Sequence, residues 1–179
     1  MEPELDSFAL YCLAAEIRPA ETLRVLGLIE RRLAGNPADP EARLYKGALL
    51  ARLGLEMGDP GQARRFLGAG IGIMRAMPPA DPSRPVAHLR MLYARGTTQV
   101  LLPVPPMTLP EVDQGIARIL DHPGFGRLHG PRRAVVLGMR AHLLKQQGQD
   151  RTAARIWRAA TRIENRISGF PDAPPQIIL

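Results

Sequence analysis

GQDRTAARIWRAATRI, residues 148–163, is the stretch whose reading decides the fold of this chain. Gly148 follows a helical run and can take the left-handed conformation that ends a helix, and Asp150 is placed to cap the next one. Ala153, Ile156, Trp157 and Ala160 then recur at three- and four-residue steps, so they share one helix face. That face is expected to be buried, with the small alanines admitting a neighbouring helix and Trp157 filling the space beside them. Upstream, Val136, Leu137, Ala141 and Leu144 form an apolar stripe on a helix expected over residues 131–147. Two antiparallel helices joined by a tight turn follow.

A similar sentence is written earlier in the chain. Leu49, Leu50, Ala51 and Leu53 lead to Gly58, Asp59 and Pro60, then to Ala63, Leu67 and Gly70. The spacing from Gly58 to Ala63 equals that from Gly148 to Ala153. Four residues past each alanine stands a large apolar side chain, Leu67 or Trp157, and seven past it a small one, Gly70 or Ala160. The pattern resembles the tetratricopeptide repeat, which places a glycine at the inter-helix turn, an alanine early in the second helix, then a bulky residue and another alanine. The family's aromatic early in the first helix is Gly47 in one copy and Leu137 in the other. Two repeats, roughly forty percent of the chain, carry the resemblance. It implies an all-α, antiparallel helix-hairpin (TPR-like) superhelical solenoid of about eight helices in four pairs. The repeat domain is expected over residues 1–167, followed by an extended tail over 168–179.

Composition agrees with helix. Alanine, leucine and arginine dominate the periodic segments, aromatic residues make up only 4%, and β-branched residues are thinly spread. The single cysteine, Cys12, cannot form an intramolecular disulfide and lies among Leu10, Leu13 and Ala14, so it reads as a small buried hydrophobe. The N-terminal residues are acidic where a secretory signal would be basic and then apolar, and no run reaches the roughly twenty apolar residues that cross a bilayer. A soluble, cytoplasmic protein with no membrane association is expected.

The net charge of +7 is unevenly placed. Residues 1–60 carry ten acids and seven bases, net −3, whereas residues 118–179 carry four acids and eleven bases, net +7. Along the final helix Arg151, Arg155, Arg158 and Arg162 recur at four- and three-residue steps, which lines them up on one face. Such a stripe is what a phosphate binder would use, although the outer faces of helices are usually just solvated.

Elsewhere the helices follow from their stops. Helices are expected over residues 4–17, 19–34, 40–57, 60–77, 86–101 and 109–121, with Pro19, Gly35 and the prolines at 78, 79, 82 and 85 as punctuation. Leu23, Leu26, Ile29 and Leu33 mark the inner face of the second, and Asp39 is placed to cap the third. Gly68, Gly70 and Gly72 each cost roughly 1 kcal/mol relative to alanine, which close helix packing can offset. Leu102 to Pro110 reads as a stiff apolar strip, with Thr108 and Glu111 as a capping box behind it. The alternating glycines follow no strand, so they do not form a phosphate loop. His122 and His129 lack companion ligands at zinc spacing and read as loop residues.

No nucleophile, base and oxyanion donor share a recognisable spacing, so the expected function is not enzymatic and no cofactor or metal is expected. The repeat resemblance implies a protein–protein interaction module, an adaptor, chaperone or assembly factor, gripping a peptide or partner protein in a concave groove. In that register Arg52, Arg95, His142 and Lys145 face the groove. They would favour an acidic peptide or a C-terminal carboxylate, since arginine pairs carboxylates bidentately. The alternative is nucleic-acid binding through the basic C-terminal region.

Overall fold

The computed structural model describes residues 6–17, 19–79, 81–102 and 109–164. All of the regular structure among them is helical, in eight α-helices: α1 Ser7–Cys12, α2 Thr22–Gly35, α3 Pro40–Glu56, α4 Pro60–Ala76, α5 Pro85–Leu101, α6 Leu109–Leu120, α7 Gly130–Gln146 and α8 Asp150–Ile163. The chain divides into two compact units, Met1–Thr98 and Gln99–Leu179. The stiff strip after Leu102, the capping pair at Thr108 and the tail over 168–179 lie outside the described residues.

In the first unit α1 is short and runs into a π-helical turn, Leu13–Ile17. The Asp6 carboxylate caps α1 by accepting from the Ala9 backbone N–H at 2.7 Å. Phe8, Leu10, Tyr11, Cys12, Ala14 and Ala15 are all buried, on every side of the helix, so this segment is a core helix rather than an amphipathic one. Cys12 is buried, as its neighbours imply. Around it stand the aromatic rings of three helices. Tyr11 stacks on Tyr45 of α3 with centroids 5.4 Å apart, while Phe8 meets Tyr93 of α5 edge-on at 6.0 Å. Such ring pairs contribute about 0.5–1.5 kcal/mol beyond the area they bury.

The Tyr11 hydroxyl lies 3.3 Å from Thr97 Oγ and 3.4 Å from Thr98 Oγ, so this buried polar atom is satisfied by α5. Arg90 of α5 closes the rim, paired with Asp6 at 3.0 Å and standing 5.0 Å from the Phe8 ring centroid. In α2, Leu26 and Ile29 are buried as their spacing predicts, and Val25 is buried with them, but Leu23 is 63% exposed. Its position is two residues before Val25, half a helical turn from the buried face, which is why it points outward.

Helices α3 and α4 pack along one another. Asp39 caps α3 through the Ala42 N–H, and Asp59 caps α4 through the Gln62 N–H. Where the two helices meet, side chains have been removed from both. A β-carbon on Gly70 would stand 2.5 Å from the Gly47 carbonyl oxygen, and one on Gly54 would stand 2.8 Å from the Leu67 backbone nitrogen. Gly68 and Gly72 point away, with nothing within 4 Å of an added β-carbon. Close packing therefore accounts for Gly70 alone among the three alternate glycines. Nothing in the structure explains Gly68 and Gly72.

In the second unit α7 lies against both α6 and α8. Ala134, Val136, Gly138, Met139, Ala141, His142, Leu143 and Leu144 are buried, the pattern of a helix covered on two sides. Ile116 and Ile119 cover one side from α6, and an ion pair between Arg140 and Asp113 ties the same two helices. The turn into α8 follows its residues. Gly148 has φ +74°, the left-handed conformation, and Gln149 N–H donates to the Leu144 carbonyl at 2.9 Å.

Two expectations for α8 need correction. Asp150 is the first helical residue rather than the cap, and Gln149 at the cap position makes no side-chain capping bond. Asp150 instead places its carboxylate in the first turn, where the helix dipole favours negative charge. Trp157 is half-buried, so Ala153 and Ala160 are the residues α8 seals completely against its neighbour.

Candidate interaction surfaces

The cations expected on the first helix of each pair fall two in each unit. In the first, Arg52 of α3 is half-buried and donates from a terminal guanidinium nitrogen to the Ala15 carbonyl at 2.6 Å. Arg95 of α5 donates to the Met74 carbonyl at 3.3 Å, while its Nε is buried with no hydrogen-bond partner among the described residues. Burial pushes the Arg95 guanidinium down from its ordinary range. Each arginine is oriented by a backbone carbonyl and retains further N–H donors of its planar fork. A carboxylate is a suitable acceptor for such a group, because the pair satisfies both partners at once.

In the second unit Lys145 is exposed near the C-terminal end of α7, where the dipole favours a cation. His142, three residues before it, is only 5% exposed. Its Nε2 lies 3.0 Å from the Gln146 amide nitrogen, and its Nδ1 has no partner among the described residues. Burial, and secondarily the Lys145 charge, hold the imidazole below its ordinary pKa. The imidazole is therefore turned into the helix packing and offers little to a ligand outside.

Helical periodicity does not single out the aromatic cluster. Tyr11 and Tyr45 are revealed by the near-complete burial of α1 and α3. A ring contact also joins α1 to α5, helices far apart in the chain. The signal available in the sequence is density: six successive positions from Phe8 to Leu13 are apolar or aromatic.

The α8 arginines form a different surface. Arg151, Arg155, Arg158 and Arg162 are all exposed, and none makes an ion pair or side-chain hydrogen bond among the described residues. At 100° per residue they fall within an arc of about 60° and a length of about 16 Å. Ala154 and Ala159, both exposed, flank the row and leave it sterically open.

His122 is buried in the loop after α6 and accepts the Gly124 N–H on Nδ1 at 2.9 Å, a loop-packing role. Among the described residues no three His, Cys, Asp or Glu side chains gather as metal ligands, and no helix is long and apolar enough to cross a membrane. In comparisons with known proteins, no family model, no curated protein and no solved structure matches this chain.

Proposed function

We propose that the chain is a non-catalytic interaction module built of TPR-like helical hairpins, which binds an acidic peptide or a carboxylate-bearing segment of a partner protein. The observation that carries the reading is a correspondence between α4 and α8. Gly70 and Ala160 occupy equivalent places in the two repeated sentences, and both are buried small residues in a second helix packed on its first. One rule of construction, a small residue seven positions after the early alanine, thus operates in both units. Repeated hairpins of this kind present side chains on rigid helices, which suits recognition without chemistry.

In the first unit the acidic character of the ligand rests on Arg52 and Arg95, both half-buried, and in the second on the exposed Lys145. Removing one member of a desolvated charge pair typically costs 2 kcal/mol or more, so these side chains would dominate selectivity. The test is chemical cross-linking and capture from the native cell extract at moderate salt with nuclease present, using wild-type protein and Lys145→Glu. A protein captured by wild type, carrying an acidic cross-linked segment, and lost from the variant is the expected result. Equal capture by both proteins contradicts the reading.

A further inference from the structure

The arginine row of α8 is not absorbed by that function, since it lies on a second helix whose inner face is already committed to α7. We propose that this row is a docking surface for the phosphate backbone of double-stranded DNA, bound without regard to sequence. The proposal stands on a different set of residues from the acidic-peptide reading and can hold whether or not that reading does.

Four observations converge on it. The first is charge without compensation: Arg151, Arg155, Arg158 and Arg162 are exposed and unpaired among the described residues. The second is shape, because a narrow line of charge about 16 Å long matches a linear polyanion better than a compact one. A free phosphate would engage one or two guanidinium groups and leave the others unused. The third is the end of the row. A β-carbon on Gly130 would lie 3.5 Å from Ile163 Cγ2, so the last turn of α8 runs beside the start of α7. There the exposed Arg127 and His129 stand next to a helix N-terminus whose cap residue makes no side-chain capping bond, leaving its positive end open.

The fourth concerns which anion. No aromatic side chain is exposed on the row for stacking unpaired bases, since Trp157 is half-buried on the other side of the helix. The row therefore suits a duplex over a single strand. An α-helix about 10–12 Å across fits the B-form major groove, about 12 Å wide, whereas the deep, narrow major groove of A-form RNA excludes it. Arginine, planar and always charged, pairs phosphate oxygens bidentately. The exposed residues flanking the arginines, Ala154 and Ala159, offer no hydrogen-bonding side chain to base edges, and phosphate contacts carry no sequence information, so binding is expected to be independent of sequence.

The experiment is fluorescence anisotropy with a labelled 20-base-pair DNA duplex of mixed sequence, titrated at several salt concentrations. The variant is Arg151→Gln/Arg155→Gln/Arg158→Gln, since glutamine keeps helix propensity, with circular dichroism confirming its fold. A control of equal charge change, Arg64→Gln/Arg65→Gln/Arg75→Gln, removes exposed arginines of α4 instead. Each lost phosphate contact should reduce the slope of log affinity against log salt by about 0.9. The expected result is a slope smaller by roughly 2 to 3 and an affinity at least tenfold lower for the α8 variant, with less than a threefold loss for the control. The proposal is overturned if the duplex fails to bind, if the control weakens it equally, or if an RNA duplex binds as tightly. It is also overturned if a polyglutamate peptide or phosphatidylserine vesicles, offered in parallel, bind through the same arginines more tightly than the duplex.

Discussion

Gly70 and Gly47 meet backbone to backbone: a β-carbon added to Gly70 would stand 2.5 Å from the Gly47 carbonyl oxygen, and it would also press on the Ala51 backbone. Neither obstacle is a flexible side chain that could turn aside. The contact fixes how closely α3 and α4 approach, and it separates the three alternate glycines of α4 into one that is required and two that are not.

Gly70→Ala is accordingly expected to destabilise the first unit by about 1–2 kcal/mol net, overpacking outweighing the gain in helix propensity. Gly68→Ala and Gly72→Ala, in open space on the same helix, should each stabilise by roughly 0.5–1 kcal/mol. Urea titrations of the three variants check this opposition of sign.

The buried tyrosines give the first unit an alkaline limit. Burial pushes the Tyr11 hydroxyl up, and burial together with the Glu41 carboxylate, which accepts its hydrogen bond at 2.9 Å, pushes Tyr45 up as well. Above about pH 10 the unfolded chain loses these protons while the folded chain keeps them, so the unfolded state binds fewer protons and stability falls as pH rises. The slope should reach about 1.4 kcal/mol per pH unit for each tyrosine, with full stability retained below pH 10. Tyr45→Phe should flatten the decline between pH 10 and 11.5, measured by urea titration. An unchanged decline would mean that Tyr45 is not held in its neutral form by the fold.

His142 has the opposite dependence. Its folded pKa is depressed by burial, and then by Lys145, so on acidification the unfolded chain takes up the proton first. Stability is complete above about pH 6.5 and falls below it, by up to about 1.4 kcal/mol per pH unit. His142→Leu removes this component. The stability difference between wild type and variant should therefore change between pH 7 and pH 5, and a constant difference would show that His142 titrates normally in the folded protein.

Trp157→Ala is expected to cost about 2 kcal/mol, less than the 3–5 typical of a fully buried large aromatic, because the indole is only half covered. Thermal unfolding of the variant measures it. A loss near 4 kcal/mol would place the ring in the core.

Helix positions were legible because their stops are chemical. Asp39, Gly148 and the prolines at 40 and 60 act within a few residues of themselves, and the structure places helix ends where they predict. Faces are legible where helices bury one side, as in α8 with Ala153 and Ala160. They are not where a helix is enclosed: α1, α3 and α7 bury residues around most of their circumference, so periodicity singles out a stripe and overlooks Tyr11, Tyr45 and Leu143. Among the candidate site residues, Lys145 is exposed. Spacing could not show that Arg52 and Arg95 donate to the carbonyls of Ala15 and Met74, because those contacts span 37 and 21 residues of sequence. Nor could it show that His142 turns inward.

The measurement that bears most directly on the interaction-module reading is a calorimetric titration of the captured protein partner at two salt concentrations, with two sets of charge reversals checked for folding. One set is Arg52→Glu, Arg95→Glu and Lys145→Glu, made singly; the other is Arg151→Glu/Arg155→Glu/Arg162→Glu. Binding weakened at least about thirtyfold by one or more of the first set, a loss of about 2 kcal/mol, and left within threefold by the second is the predicted result. Binding abolished by the α8 reversals, untouched by the others and falling steeply with salt would contradict it.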